Sequence, residues 1–452
     1  MFESINPATG SIALRLPEMD AAAVEAAVAR AYAAQRQWRH SPLDTRAALL
    51  EAIADRFEAE ADRLAELAVV EMGKTFKSAR AEVLKCAGGF RYFAQAGPAM
   101  LADIAVPNTG GRVYQRWLPI GVVLAVMPWN FPYWQVVRFL APTIMAGNAG
   151  LLKHASLTQG CAAAIEEMVT AAGAPAGLFH NLAIRAGAVA PLIADDRIAA
   201  VTLTGSEEAG ARVAAAAGAA LKKVVLELGG SDPFIVMPSA DLDAAVTAAV
   251  TGRLQNAGQS CICAKRMIVH ADIYDAFAER FTAAMLAAKV GDPMDAANDI
   301  GPLSSEEQRA TVLEQLARFQ AAGARLAGGN VPPGPGAYLM PGVLTDVPAD
   351  HPIAQEELFG PVAMLFRVAD IDAAIALANN VPFGLGSSVW TRDAAEQERF
   401  VRDLEAGMTA INQVLASTPQ AAFGGIKKSG HGRELGPWGM HEFMNLKTVM
   451  AV

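Results

Sequence analysis

Apolar positions in roughly the first ninety residues recur at helical spacing. Leu49, Leu50, Ile53, Phe57, Leu64 and Leu67 fall on one face of a helix that Ser41-Pro42 opens and Gly73 stops, and Asp20 stands where it caps an earlier helix reaching Trp38. From Gly121 the rhythm changes. Short apolar runs at 122–127, 150–153, 179–184, 200–203 and 224–228 alternate with alanine-rich helical stretches. That alternation predicts a parallel sheet covered by helices on both faces, an α/β fold. A second α/β region begins near Gly229, with a strand at 234–237 and helices from Asp241 and Asp272. The VPPGPG stretch at 331–336 reads as a surface loop within it rather than a boundary. No internal repeat or low-complexity segment interrupts the pattern.

Against this frame, two polar residues suggest chemistry. Cys261 lies among small polar residues in QNAGQSCICAKR (255–266), and Glu227 lies in LELGGSDPFIV (226–236). A thiol and a carboxylate held apart suit a nucleophile and a base that later activates water to hydrolyse a covalent intermediate. Taken singly, such a cysteine is more often inert and buried, and such a glutamate is more often a solvated charge. A third segment, VMPWNFPYWQ (126–135), adds weight. The apolar run breaks at Pro128, so Asn130 sits just past a strand end, where open α/β sheets place ligands and where an amide can donate to an oxyanion. The plainer reading of Asn130 is a turn residue between two prolines.

MPWNFP, LELGGSDP, NAGQSCICAKR, EELFGPV and FGGIKKSGHGREL, in this order, resemble the NAD(P)-dependent aldehyde dehydrogenase superfamily over essentially the whole chain. INPATG at 5–10 and WNFPYWQVVRF are similar to the short bacterial succinate-semialdehyde dehydrogenases. The resemblance implies a Rossmann-type cofactor domain (1–98 and 118–228), an α/β catalytic domain (229–430) and a small β oligomerisation element (99–117 and 431–452) that makes homodimers or homotetramers. It implies oxidation of an aldehyde, with succinate semialdehyde as the expected substrate and a broad range of aliphatic or aromatic aldehydes as the alternative. A non-catalytic cofactor-binding protein of the same fold is the expectation from another class, against which Cys261, Glu227 and Asn130 argue. The expected chemistry is attack by Cys261, an oxyanion held by Asn130 and the Cys261 N–H, hydride loss to the cofactor, and hydrolysis of the thioester by a water that Glu227 activates.

No GxGxxG fingerprint is present, so the cofactor site is placed by the resemblance. Lys153 ends a strand and Ser156 follows at an expected helix N-cap, where the family holds the adenosine ribose. A short hydroxyl there, in place of a glutamate, leaves room for a 2′-phosphate that Lys153 can pair with, so NADP is preferred and NAD remains possible. Thr204-Gly205-Ser206 opens a helix whose N–H groups suit a pyrophosphate, with Glu207 and Glu208 expected to face solvent. Met127, Pro128, Trp129 and Leu228 complete the expected cofactor wall, with Glu357 on the nicotinamide ribose and Phe359 beside the ring. On the aldehyde side, Trp134 and Arg138 share a helix face close to Asn130. Arg138 and Ser417 are expected to bind a terminal carboxylate, and Trp134 and Phe423 to wall the tunnel. The competing reading makes Arg138 one half of a structural ion pair. The loop ASTPQAAFGG also lacks the arginine near Gln420 that related sequences often carry.

Composition narrows the partners. At 452 residues the chain has room for two or three cores, and a net charge of −9 argues against nucleic acid or anionic membranes. The N-terminal stretch has neither a basic nor an apolar leader region, which gives a cytoplasmic expectation. Four cysteines and seven histidines show no ligand spacing, so no structural metal is expected. Cys261 and Cys263 could close a strained, reducible disulfide that silences the nucleophile, or Cys263 is simply a small buried residue.

Overall fold

A computed structural model describes residues 1–107 and 111–451. Its centre is a six-stranded sheet in the order Gly430–His431, Lys223–Glu227, Ile198–Thr204, Val122–Val126, Ala149–Lys153, Phe179–Asn181. All neighbours are parallel except the Gly430–His431 edge, which pairs antiparallel with Leu226 and Glu227. Val122–Val126 lies mid-sheet, in register with Ala149 on one side and Ile198 on the other. Buried on both faces, it consists of branched and small apolar residues, as such a position demands. Its ladder closes with the Met127 N–H on the Lys153 carbonyl at 3.0 Å, because Pro128 has no N–H to continue it.

The chain leaves Val122–Val126 toward one sheet edge and later returns to the other side of it through Ile198–Thr204. The strand order therefore reverses between these two strands, opening a crevice at their C-terminal ends. A second sheet of seven strands, ordered Arg325–Gly328, Gly342–Thr345, Val362–Val368, Arg266–His270, Pro233–Val236, Gly386–Trp390, Met408–Ile411, is parallel except at its first pair. Each of these two large sheets carries its own apolar core. A three-stranded antiparallel sheet joins Met444–Ala451, Arg112–Pro119 and Ile104–Val106.

The caps explain most helix starts. Asp20 accepts from Ala23 N at 2.8 Å, Asp241 from Ala244 N at 3.1 Å and Ser206 from Ala209 N at 3.3 Å. Three expectations need correction. The helix read through to Gly73 is two, Leu43–Ala59 and Ala61–Met72, broken at Glu60 (φ −103°, ψ 14°), and the apolar spacing continues because both helices press on one core. Gly73, at φ 82°, does end the second. The helix placed from Asp272 begins at Ala271 and is capped by His270, whose Nδ1 accepts from Asp272 N. The N-terminus is no helix but an antiparallel hairpin of Phe2–Ile5 and Ile12–Leu16. Among the described residues, no helix is long and apolar enough to cross a membrane, no His/Cys/Asp/Glu cluster is arranged to hold a metal, and the four cysteines are free.

Candidate active site

The crevice where the strand order reverses holds a cavity of about 600 Å³. Pro128, Trp129 and Asn130 enter it from one strand end and Thr204, Gly205 and Ser206 from the next. Leu228, Glu357 and Phe359 face them, and the Trp129 and Phe359 rings meet edge to face at 5.8 Å. Thr204 Oγ1 is buried with no hydrogen-bond partner among the described residues, and the helix Glu207–Ala219 starts at the wall of this space. A cavity of this size with an unsatisfied hydroxyl and a helix N-terminus fits a dinucleotide. Glu357 sits 3.0 Å from the fully buried Lys265 Nζ; burial raises its carboxyl above the usual range against the pull of that lysine.

Some expected cofactor residues lie elsewhere. Met127 is buried in the core, outside the lining. Lys153 and Ser156 also lie outside it, the first as the last residue of the adjacent strand Ala149–Lys153 and the second just beyond it. Lys153 is half-buried and, among the described residues, has no carboxylate partner; burial first, then Arg185, lowers its pKa. Ser156 is not a helix N-cap: it begins the 3₁₀ turn Ser156–Thr158, behind Ala155, and its hydroxyl caps nothing. Glu207 faces solvent only in part: its Oε1 is buried in the cavity wall and, among the described residues, has no hydrogen-bond partner. Glu208 is exposed and pairs with Arg212 at 2.6 Å.

Cys261 is carried on a tightly constrained loop. Asn256, Ala257 and Gly258 are successively left-handed, at φ 54°, 54° and 75°, a conformation costly for the first two. Gly258 admits no side chain, since a Cβ there would stand 2.2 Å from the Gly360 carbonyl oxygen. Asn256 Nδ2 donates to the Asn130 carbonyl at 2.8 Å, and Lys265 Nζ donates to the carbonyls of Ser260 and Cys261, both at 2.8 Å. These bonds fix the carbonyl side of the loop while, among the described residues, the Cys261 N–H donates to no protein group. Asn130 is oriented from both ends: Gln135 Nε2 donates to its Oδ1 at 2.9 Å, and its Nδ2 donates to the Gln259 carbonyl at 3.0 Å. One amide N–H of Asn130 remains. Burial pushes the Cys261 thiol up to about 12, with Arg138 and Lys265 pulling it down and Glu357 and Asp232 raising it further. In this state the thiol is therefore protonated at neutral pH. Cys263 is fully buried, its thiol 3.4 Å from the Gln255 carbonyl.

Glu227 is 2 % exposed and, among the described residues, both carboxylate oxygens lack hydrogen-bond partners. It lines neither cavity directly but lies against Gly424, where a Cβ would come within 2.7 Å of its Oε1. Burial raises its carboxyl well above the usual range and the neighbouring Glu434 adds to this, while Arg138 and Arg433 oppose.

On the other side of Cys261 lies a cavity of about 170 Å³ that brings Trp134, Arg138, Ser417 and Phe423 together with Gln135, Phe131 and the thiol. Cys261 thus forms part of the wall of both cavities. Here the ion-pair reading of Arg138 is the one the structure contains: its Nε lies 2.7 Å from Glu434 Oε2, with both side chains buried. Phe423 and Glu434 pair across a backbone bridge, which sets the Phe423 ring 4.5 Å beneath the guanidinium. Arg138 is therefore paired with Glu434, and among the described residues its Nη2 has no hydrogen-bond partner. Sequence reasoning missed Lys85, Glu82 and Glu434. Ser78, Glu82 and Lys85, spaced four and three apart on the helix Phe76–Met100, share the face that lines this cavity, a signal visible in the sequence. Glu434 gives no comparable signal, since nothing local ties it to Arg138.

A parallel sheet with a crevice at its strand-order reversal, and a cysteine standing between a dinucleotide-sized cavity and a smaller aromatic one, define a dehydrogenase of the covalent type. The chain belongs to the aldehyde dehydrogenase family, whose model matches residues 1–449. It is 54 % identical over 453 aligned positions to a succinate-semialdehyde dehydrogenase [NADP(+)] of Mycolicibacterium paratuberculosis, covering 99 % of this chain and 96 % of that one. It is 52 % identical over 450 positions to succinate-semialdehyde dehydrogenase [NADP(+)] 1 of Mycobacterium tuberculosis, covering 99 % and 98 %. The crystal structure of a succinic semialdehyde dehydrogenase from Streptococcus pyogenes with NADP+ superposes with a TM-score of 0.98 at 38 % identity, covering both chains completely.

Proposed function

We propose that this chain oxidises succinate semialdehyde to succinate with NADP+ as acceptor. The carrying observation is that Cys261 stands in the walls of two cavities, one sized for a dinucleotide and one for a short aldehyde. In this reading the thiol proton leaves to solvent through the cofactor cavity as sulfur bonds to the aldehyde carbon, and Glu227, with two oxygens unpartnered among the described residues and a raised proton affinity, is held for the later hydrolysis. The oxyanion that forms is held by the Cys261 N–H and the remaining Asn130 N–H. The dinucleotide, when bound, accepts the hydride. Carbon then remains on sulfur as a thioester, and Glu227 draws a proton from the water that releases the acid. Lys153, a cation with no acid partner among the described residues, and the short Ser156 side chain suit a 2′-phosphate, which favours NADP over NAD. Glu357, Phe359, Trp129, Pro128, Leu228 and the Thr204–Ser206 turn are the remaining cofactor contacts in this reading.

The two large sheets support the division into a cofactor and a catalytic domain. The three-stranded sheet, with Leu446, Met450 and nearby Trp438 exposed, suits a homodimer or homotetramer contact, and the charge balance suits the cytoplasm. A broader aldehyde range is the reading that Phe131, Trp134 and Phe423 favour. The deciding measurement is kcat/KM for succinate semialdehyde relative to butanal at saturating NADP. A ratio above about a hundred, nearly 3 kcal/mol of discrimination, is expected. A ratio near one removes the semialdehyde from this proposal and leaves the aldehyde chemistry in place.

A further inference from the structure

We infer that Lys85, together with the Ser417 hydroxyl, is the receptor for the substrate's terminal carboxylate. The inference rests on the semialdehyde reading and starts from the charges around the smaller cavity. Glu82 carries none to spare: its Oε1 accepts from the N–H groups of Tyr133 and Trp134 at 2.9 and 3.0 Å, and its Oε2 pairs with buried Lys74. Arg138 is balanced by Glu434. Lys85, on the same wall, has no acid partner among the described residues; its ammonium donates to Ser417 Oγ at 3.0 Å and lies 4.5 Å over the Trp134 ring. Among the described residues the cavity wall therefore holds one half-buried cation without an acid partner, and a cation on an enclosed wall favours an anion.

Ser417 points the same way. Its oxygen accepts from both Lys85 Nζ and Trp134 Nε1, the latter at 2.9 Å, so both lone-pair directions are taken. The hydroxyl proton must then be donated elsewhere, and no protein acceptor takes it among the described residues. Lys85 Nζ, Ser417 O–H and the unpartnered Arg138 Nη2 are all donors, a set complementary to a carboxylate and to nothing that itself donates. Cys261 shares this cavity, so a bound carboxylate and the reacting carbon fall in one small chamber.

The ionisation of Lys85 agrees. Burial, then the nearby Arg138, lowers its pKa to about 8, while Cys86 and Glu82 on its own helix pull the other way. Those groups, with Ser417 on the facing loop and Cys261 across the cavity, are the polar and titratable neighbours that bear on it. Only the protonated amine attracts a carboxylate, so discrimination is full below about pH 8 and is lost as pH rises through it. The ionisations of Cys261 and Glu227 act on every aldehyde and cancel in a ratio of substrates.

The experiment compares kcat/KM for succinate semialdehyde and butanal, at saturating NADP, from pH 6.5 to 9.5 in the wild type, Lys85→Met and Lys85→Arg. The wild-type ratio is expected to be high, to fall about tenfold per unit above pH 8, and to drop about 30-fold in Lys85→Met with partial recovery in Lys85→Arg. A Lys85→Met ratio within threefold of wild type overturns the inference and leaves the semialdehyde reading standing. A wild-type ratio near one at every pH overturns both. The wild-type pH series needs no variant, so a Lys85→Met protein that does not fold cannot shelter the inference.

Discussion

Arg138→Met removes the cation from a buried pair and leaves Glu434 without a counter-charge beside Glu227. Breaking one side of such a pair costs about 3–5 kcal/mol, most of it the penalty of the stranded charge. At about 2.1 cal/mol/K per residue, 452 residues give an unfolding entropy near 0.95 kcal/mol/K, so the thermal midpoint should fall by about 3–5 °C at pH 8. The pH dependence follows from the same geometry. Arg138 is what lowers the Glu434 carboxyl against the burial that raises it, and it also lowers Glu227. Without it both folded-state pKa values rise further above the ordinary unfolded value near 4.5. A raised acid contributes its full stability below the unfolded pKa and loses it as pH climbs through the folded one. The deficit of Arg138→Met relative to wild type should therefore be small near pH 5 and grow toward pH 8. Arg138→Met/Glu434→Gln, with no charge to strand, should recover most of the loss. The assay is scanning calorimetry at one fixed protein concentration across this pH range. A midpoint within 1 °C of wild type at pH 8, or a double variant showing the sum of the two single losses, refutes the reasoning.

Two further outcomes are expected. Glu227→Gln should keep a pre-steady-state burst of reduced cofactor while steady turnover falls 10²- to 10⁴-fold, seen by stopped-flow absorbance; losing the burst too would make Glu227 the acceptor of the thiol proton. Ser156→Glu should move the NADP:NAD ratio of kcat/KM toward NAD by at least about tenfold, because a carboxylate beside Lys153 neutralises the cation and repels the 2′-phosphate; an unchanged ratio would place cofactor choice elsewhere.

Local pattern carried most of the elements and much of the site. The mid-sheet strand Val122–Val126, the Asp20, Asp241 and Ser206 caps and the Gly73 stop are short-range signals, read from periodicity and from side chains that bond their own backbone two or three residues on. Asn130 was legible because it sits just past the break at Pro128, and Cys261 because it stands among small polar residues in a segment that resembles the family's. What escaped notice depends on partners far away in sequence. The break at Glu60 is silent because the apolar stripe continues across it. The N-terminal hairpin is short, its second strand is largely exposed, and its first buries the polar Ser4 at a position where an apolar residue would have marked the alternation. Arg138 met Glu434 across nearly 300 residues, and no spacing rule reaches that far. Lys85 was hidden by its helix, where a lysine reads as a solvated charge until the wall opposite is known.

The loop and strand that close the smaller cavity are made last. Ser417, Phe423 and Glu434, and the Gly430–His431 edge that pairs beside Glu227, all come from the final stretch of the chain, long after Asn130, Glu227 and Cys261 have been synthesised. A chain that ends before Ser417 therefore carries the cysteine but lacks Ser417 and Phe423 from the wall beside it.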